Sequence, residues 1–527
     1  MKELHRHIRF ALFSGLIFMF FSYFGTKFII ATMNFKKVSY TALDVLFPII
    51  ITIASSLVIY FLLNIKLKNK KDKTFNLKKW QIFLPLLLSS LVVFLACFPG
   101  HHPYDSSDMY QAFKSGNITT HYSPLITLII GFFLSIGNNA NVGCAVLIIL
   151  QILFINLVLT AIIFYCSKRL EQKRFSIIFV IFFMLHPLVQ VLIIRTGQDT
   201  IFSGLFALLC LEFLKLSEDE NYFNKKSKII YTMALVFCLC ATRNNGLYAL
   251  LPALIAAPFL VKSKKKILLT LLTPIVVFFG YNFILTHTFV AKESFYKETL
   301  NVPVIQIARA MYFNPDEGLK NELSVYFEEG CDSWAHTKMD WKVYIRIAGI
   351  TDLYKGCLNA AEIEKDPAKF FSLWAKIGQK NPVEYLEAPW ILMLGLYHPY
   401  TQSIPRSFYS WHPYVDSWSG EYDRNGVEQI SLIPSVKNLL DSLIDDQVWY
   451  EIPVFRVLWS APLSTHLCII AIILVLYKRK NKYLLPLLFI LGLILTVFLS
   501  PIALFRYSLP AVFCIPIMYY IIKSVLK

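Results

Sequence analysis

The sequence predicts an α-helical polytopic membrane protein with about twelve transmembrane helices, a surface-lying outer helix, and one mainly α extracytoplasmic domain inserted late in the chain. Three observations carry that expectation. Of 527 residues 56% are hydrophobic and only 16% charged, a balance outside the range of soluble enzymes. Apolar runs of the length needed to cross about 30 Å of hydrocarbon recur along the chain. The charge is segregated, with a net of −7 between His287 and Val457 and +24 over the remainder.

The apolar runs lie near 10–32, 43–65, 80–98, 142–165, 176–194, 200–216, 229–245, 247–261, 267–286, 458–477, 483–503 and 508–523. The first follows a basic segment, Met1 to Arg9, but is too long for a signal peptide and lacks a small-residue cleavage site, so it reads as a retained helix. The positive charges fall in short loops such as "KLKNKKDK", "SKRLEQKR", "KSKKK" and "KRKNK", which is the positive-inside pattern and not a face for nucleic acid. Fixing those loops in the cytoplasm puts both termini inside and residues 99–122 and 287–457 outside. The scheme closes only if the apolar stretch 123–137 lies along the outer surface or dips in and returns. Lys36 and Lys37, in the first outer loop, are a mild exception.

Three regions follow: an N-terminal block, 1–286, with a polar loop at 99–122 and a juxtamembrane helix at 123–137; an extracytoplasmic domain, 287–457; and a C-terminal block, 458–527. Within the domain, Asp366 before Pro367 reads as a helix start and Gly378 as its stop, with Asn381 and Pro382 opening the next helix. That next helix is apolar enough to lie on the bilayer, and its Trp and Tyr residues suit the interface. Cys331 and Cys357 alone among ten cysteines fall in this domain; they form a disulfide in an oxidising compartment or remain two thiols. The other eight serve as small hydrophobic residues.

The chemistry concentrates at the outer rim. In "FPGHHPYDSSDMYQAF", Pro99 and Gly100 break the third span and a helix resumes in which Asp105 and Asp108, three apart, share a face. Such a pair suits a general base, a metal site or a solvated helix start. Around it lie groups able to bind a sugar or orient a proton: His101, His102, Tyr104, Tyr110, Gln111, His121 and Tyr122. Other outer turns present cations: Arg195 with Gln198 and Asp199, Arg243 with Asn244 and Asn245, and Arg506 with Tyr507. A buried guanidinium at that depth needs an anion, which a lipid phosphate supplies unless an aspartate does. Mid-membrane charge is scarce; His186 beside Pro187 reads as a packing residue. No P-loop, GxSxG, HExxH or GxGxxG in a strand-turn-helix setting is present, which argues against ATP-driven or soluble-nucleotide chemistry.

Asp105 or Asp108 with Tyr104, then "HYSPL" at 121–125, then "FRYSLP" at 505–510, together with "RTGQD" and "RNNGLY", resemble the GT-C glycosyltransferases, enzymes dependent on polyprenyl-phosphate sugars. The resemblance is to an uncharacterised bacterial branch, with two spans instead of one before the aspartate loop and a soluble domain interrupting the helices. It implies an inverting transfer of sugar from a polyprenyl-phosphate donor to a cell-envelope acceptor: a glycan, glycolipid or protein. It assigns Asp105, with Asp108 second, as general base, and Arg243 and Arg506, with Arg195 weaker, to the donor phosphate. His102, Tyr104, Gln111, His121, Asn245 and Tyr507 fall to the substrate. No cofactor is required; a divalent metal enters only with a diphosphate donor, held by the two aspartates and the neighbouring histidines. The partners implied are the lipid-linked sugar, membrane lipids and the acceptor, with no nucleic acid. The rival reading is a flippase or exporter of a lipid-linked or polymeric saccharide, which requires a polar path through the bundle. Lysine- and asparagine-rich usage points to a low-GC bacterium and its cell membrane.

Overall fold

A computed structural model describes residues 2–33, 36–64, 76–136, 139–291, 299–327, 358–398, 425–444, 452–500 and 503–527, with 296 and 448 in isolation. Cys331 and Cys357 lie outside the described residues. The chain is helical, with no β-sheet among the described residues. Among the described residues five helices are long and apolar enough to cross a membrane: His5–Ala31, Leu43–Phe61, Ala140–Leu170, Gln198–Glu218 and Lys264–Thr288. Two bent pairs, Lys173–Leu185 with Pro187–Ile193 and Phe505–Phe513 with Ile515–Val525, bring the number to seven if each is one span. Other expected spans are apolar helices of 10–17 residues, among them Trp80–Ala96 and Asn245–Leu260.

The chain forms two compact units. One comprises Met1–Leu62, Glu293–Ser410 and Leu495–Leu504; the other comprises Leu63–Lys292, Trp411–Ile494 and Phe505–Lys527.

The second unit is built around helix Gln198–Glu218. Its Phe206 stacks on Phe489 with centroids 4.0 Å apart, and Phe202, Phe213, Phe183 and Phe513 are fully buried. Between helices in lipid, where hydrocarbon is as apolar as the side chains, such contacts hold by close packing rather than by exclusion of water. Helix Ala140–Leu170 begins at Asn139, whose side chain accepts from the Asn141 amide at 2.9 Å, and ends on Lys168 and Arg169, which suit the negative end of the dipole. The apolar stretch after the aspartate loop forms Pro124–Leu134, started by Ser123 and Pro124. Its 11 residues reach only about 16 Å, too short to cross a bilayer. At His186–Pro187 the chain bends by 72°. Pro187 lacks the amide that would continue the first helix, and His186 turns its side chain to cap the second through the Val189 amide.

In the first unit, helix Asn301–Phe313 packs against Pro367–Lys380 and Pro382–Leu392 over a core that includes Val304, Ile307, Phe370 and Ile377. Asp366 caps as its position predicts, accepting from the Lys369 amide at 3.0 Å. The expected stop at Gly378 is not the stop: the helix runs on to Lys380. A Cβ at 378 would stand 2.7 Å from the Tyr385 ring, so this glycine admits an aromatic neighbour instead of ending a helix. Helix Pro382–Leu392 buries Tyr385, Ala388 and Ile391 along with two carboxylates, while its apolar Val383 and Leu386 stay exposed. Glu387 takes both Arg309 and the Tyr40 hydroxyl, the latter at 2.6 Å, while Glu384 pairs with Lys37 at 2.6 Å. With Arg309 and Glu387 only 3% and 4% exposed, the pair persists because each end is hydrogen-bonded as well as neutralised.

Candidate active site

The site lies wholly in the second unit and starts from the break after the Trp80–Ala96 helix. Gly100 has φ +111°, and a Cβ there would lie 2.7 Å from Ile148 and 2.9 Å from the Ile194 carbonyl oxygen. Only glycine fits. The next residues run beside 194–196: the His101 amide donates to the Ile194 carbonyl at 2.9 Å, and the Thr196 amide to the His101 carbonyl at 2.8 Å. Gly197, at φ +130°, then opens helix Gln198–Glu218, while Pro103 opens Tyr104–Ser115. Ser106 ties the two starts together, its hydroxyl donating to the Thr196 carbonyl at 3.0 Å. Two helix amino termini therefore meet at one place, each favouring an anion. Gly100→Ala is expected to lower stability by about 1–3 kcal/mol, the penalty for a side chain in that backbone region, read as a drop in the melting temperature of the solubilised protein.

Charge gathers at that place from distant turns. Arg506 Nη1 donates to Asp105 Oδ2 at 2.8 Å, and Arg506 Nε lies 3.6 Å from Asp199 Oδ2. Arg243 pairs with Asp199. Both arginines rest on the Tyr507 ring, their guanidinium carbons 4.8 and 5.1 Å from its centroid. A narrow crevice is bordered by Asp105, Ser106, Arg195, Gln198, Asp199 and Arg506. The lining carries two guanidiniums, Arg195 and Arg506, against the carboxylates of Asp105 and Asp199. The Tyr122 hydroxyl reaches Asp105 and Asp108, at 3.4 Å each, which joins the exposed Asp108 to the crevice rim.

These neighbours set the protonation states. Burial pushes the Asp105 carboxyl up, but the Arg506 and Arg195 charges and the Arg506 hydrogen bond outweigh it, leaving the group below its usual 3.8. Burial, with Asp105 and Asp108 nearby, raises Tyr122, which stays a phenol. Burial lowers His101 to about 3 and His102 to about 4, so both are neutral at physiological pH.

The sequence candidates divide. Asp105, Arg506 and Arg195 border the crevice; Arg243 and Tyr507 join through Asp199 and the shared ring; Asp108 joins through Tyr122, which meets the His121 ring edge to face with centroids 4.4 Å apart. His102 and Gln111 do not border the crevice and meet at Asn425. His102 Nδ1 lies 3.1 Å from the Thr196 hydroxyl, and the Asn425 side chain lies 3.4 Å from His102 Nε2 while accepting from Gln111 at 2.5 Å. Tyr104 and Asn245, each the first residue of its helix and half-buried, do not border the crevice. Asp199 is the group sequence reasoning undervalued. Its signal was present: an acid just after Gly197, in the first turn of a helix, beside an arginine. Among the described residues no three His, Cys, Asp or Glu side chains gather as a metal ion needs. The two aspartates and two histidines do not make a metal-binding set, since His102 faces Thr196 and Asn425.

The chain belongs to the DUF6020 family, described as a family of unknown function, whose model matches residues 114–524. That span holds Arg195, Asp199, Arg243 and Arg506 and begins just past Asp105 and Asp108. No curated protein and no solved structure matches the chain.

Proposed function

We propose that this protein is an integral-membrane inverting glycosyltransferase of GT-C type, moving a sugar from a polyprenyl-phosphate donor to an extracytoplasmic acceptor of the cell envelope. The observation that carries the reading is the meeting of Asp105 with Arg506, Arg195 and the Asp199–Arg243 pair where two helix amino termini converge. In this reaction the acceptor hydroxyl gives its proton to Asp105 while its oxygen bonds to the anomeric carbon. The carbon–oxygen bond to the phosphate breaks, and its electron pair leaves on the phosphate oxygen. A base within hydrogen-bond reach supplies the first step, and fixed cations stabilise the charge of the second. Attack opposite the leaving group inverts the anomeric centre.

The proposed setting is a cell membrane, with both termini cytoplasmic and 287–457 outside. The Lys37–Glu384 ion pair supports it, because an ion pair needs both partners on one side of the bilayer, and it turns the lysine exception into a reason for the topology. A carrier needs a polar path through the helices. The buried Gln151 and Asn156 instead direct their amide nitrogens to the carbonyls of Ile193 and Ile152, at 2.6 and 2.9 Å, which favours transfer over transport.

The test is incubation of the purified full chain with a labelled polyprenyl-phosphate sugar and envelope acceptor. Transfer with inversion is expected; no transfer, with uptake of the intact lipid-linked sugar by proteoliposomes, would establish the carrier. The pH profile is a further expectation. Asp105 acts ionised and its carboxyl lies below 3.8, so the acid limb of kcat/KM, which reports the free enzyme, falls below pH 3.8. The stability contributed by the Asp105–Arg506 pair is likewise present above that value and lost as pH falls through the lowered pKa.

A further inference from the structure

A carboxylate hydrogen-bonded to a guanidinium is a weak base, yet the reaction asks Asp105 to accept a proton. The geometry around Arg506 resolves the conflict. Its three nitrogens face different groups: Nη1 donates to Asp105 at 2.8 Å, Nη2 reaches the Tyr507 hydroxyl at 3.3 Å, and Nε lies 3.6 Å from Asp199. Asp199 is held independently by Arg243, and its own helix fixes its place. Arg506 can thus let go of one carboxylate without leaving the crevice.

We propose that Asp105 and Asp199 are two seats for the Arg506 guanidinium, and that the phosphate of a lipid-linked sugar, a phosphodiester before transfer and a monoester after it, draws Arg506 off Asp105 on entering the crevice while Asp199 retains it. Asp105 becomes an effective base only in the loaded site. Asp199 is a positioning residue, acting through Arg506 and Arg243. The inference rests on the crevice being a lipid-phosphate site.

The groups facing Asp105 are Arg506 from the Phe505–Phe513 helix, Arg195 from the turn before Gln198, Asp199 from the Gln198–Glu218 helix, Arg243 from the turn before Asn245, His121 and Tyr122 from the loop before Pro124, and Tyr104 and Asp108 on its own helix. Of the arginines among them, Arg506 is the one that touches the Asp105 carboxylate. Its transfer to a phosphate therefore shifts the proton affinity of Asp105 upward, while the removal of the Asp199 charge shifts it downward.

The experiment follows Asp105 in the full chain in nanodiscs by carbodiimide labelling and mass spectrometry across pH, with farnesyl phosphate, with inorganic phosphate, or with neither. Binding of radiolabelled farnesyl phosphate is measured in parallel. The expected result is a labelling midpoint raised by about one pH unit or more with farnesyl phosphate, a tenfold gain in proton affinity. Accordingly, the acid limb of kcat lies at higher pH than that of kcat/KM. The same rise with inorganic phosphate assigns the effect to the headgroup alone; its restriction to farnesyl phosphate adds a need for the tail, and both support the exchange. Asp199→Asn is expected to lower the midpoint of the empty site, and Asp199→Glu to restore it, whereas a merely structural role moves neither. Farnesyl phosphate bound with the midpoint unchanged overturns the exchange and leaves the lipid-phosphate site standing. Absence of binding to the wild-type chain overturns both.

Discussion

Asp105→Asn is expected to reduce sugar transfer by roughly 10²–10⁴, the span of a positioned general base, with binding of the lipid-phosphate donor retained. The amide keeps the shape of the carboxylate and a carbonyl oxygen for Arg506, so the aspartate helix stays in place between Ser106 and Tyr122. What is lost is the ability to accept a proton. Asp108→Asn is the internal control, since Asp108 is exposed and its link to the crevice runs through the Tyr122 hydroxyl at 3.4 Å. A loss confined to the Asp105 variant assigns the base. Equal activity in the two variants would remove the carboxylate from the mechanism.

The second large effect is expected at Arg506. Arg506→Ala removes the cation that touches Asp105 and lies within 3.6 Å of Asp199, and a lost donor to a developing anion lowers turnover by about 10²–10³. Arg506→Lys is expected to restore little of it, because a lysine point charge cannot face two carboxylates and lie on the Tyr507 ring at once. In the alanine variant the Asp105 carboxyl loses its main counter-ion and its labelling midpoint rises. The two positions are in direct contact, so the combined Asp105→Asn, Arg506→Ala variant should fall well short of the sum of the single effects. Full additivity, measured as kcat/KM for the four proteins, would mean that the ion pair has no part in transfer.

Much of this site could be read before any coordinates. The Pro99–Gly100 break, the i, i+3 aspartates and the arginines in outer turns are local features, and local features follow from residue type and spacing. The same holds for the Asp366 cap and the short apolar segment after residue 122. The partners of His102 and Gln111 were not legible, because Asn425 lies more than three hundred residues further along and nothing in its own stretch announces the contact. Asp199 was legible as a charge but not as a hub, since whether an arginine meets a phosphate or an aspartate depends on which turns converge. Gly378 differs from expectation for a related reason: a glycine that admits a ring and one that ends a helix look alike in sequence.

The helix that starts at Gln198 is also anchored at its far end. Glu218 accepts from the Tyr165 hydroxyl at 2.7 Å and from Arg169 at 2.8 Å, and also takes Tyr520. Clamped there and embedded in aromatic packing along its length, that helix behaves as a fixed post. The Ser106–Thr196 hydrogen bond couples the twelve-residue helix carrying Asp105 to that post, so an anchor at the far end of one helix also steadies the wall that bears the proposed base.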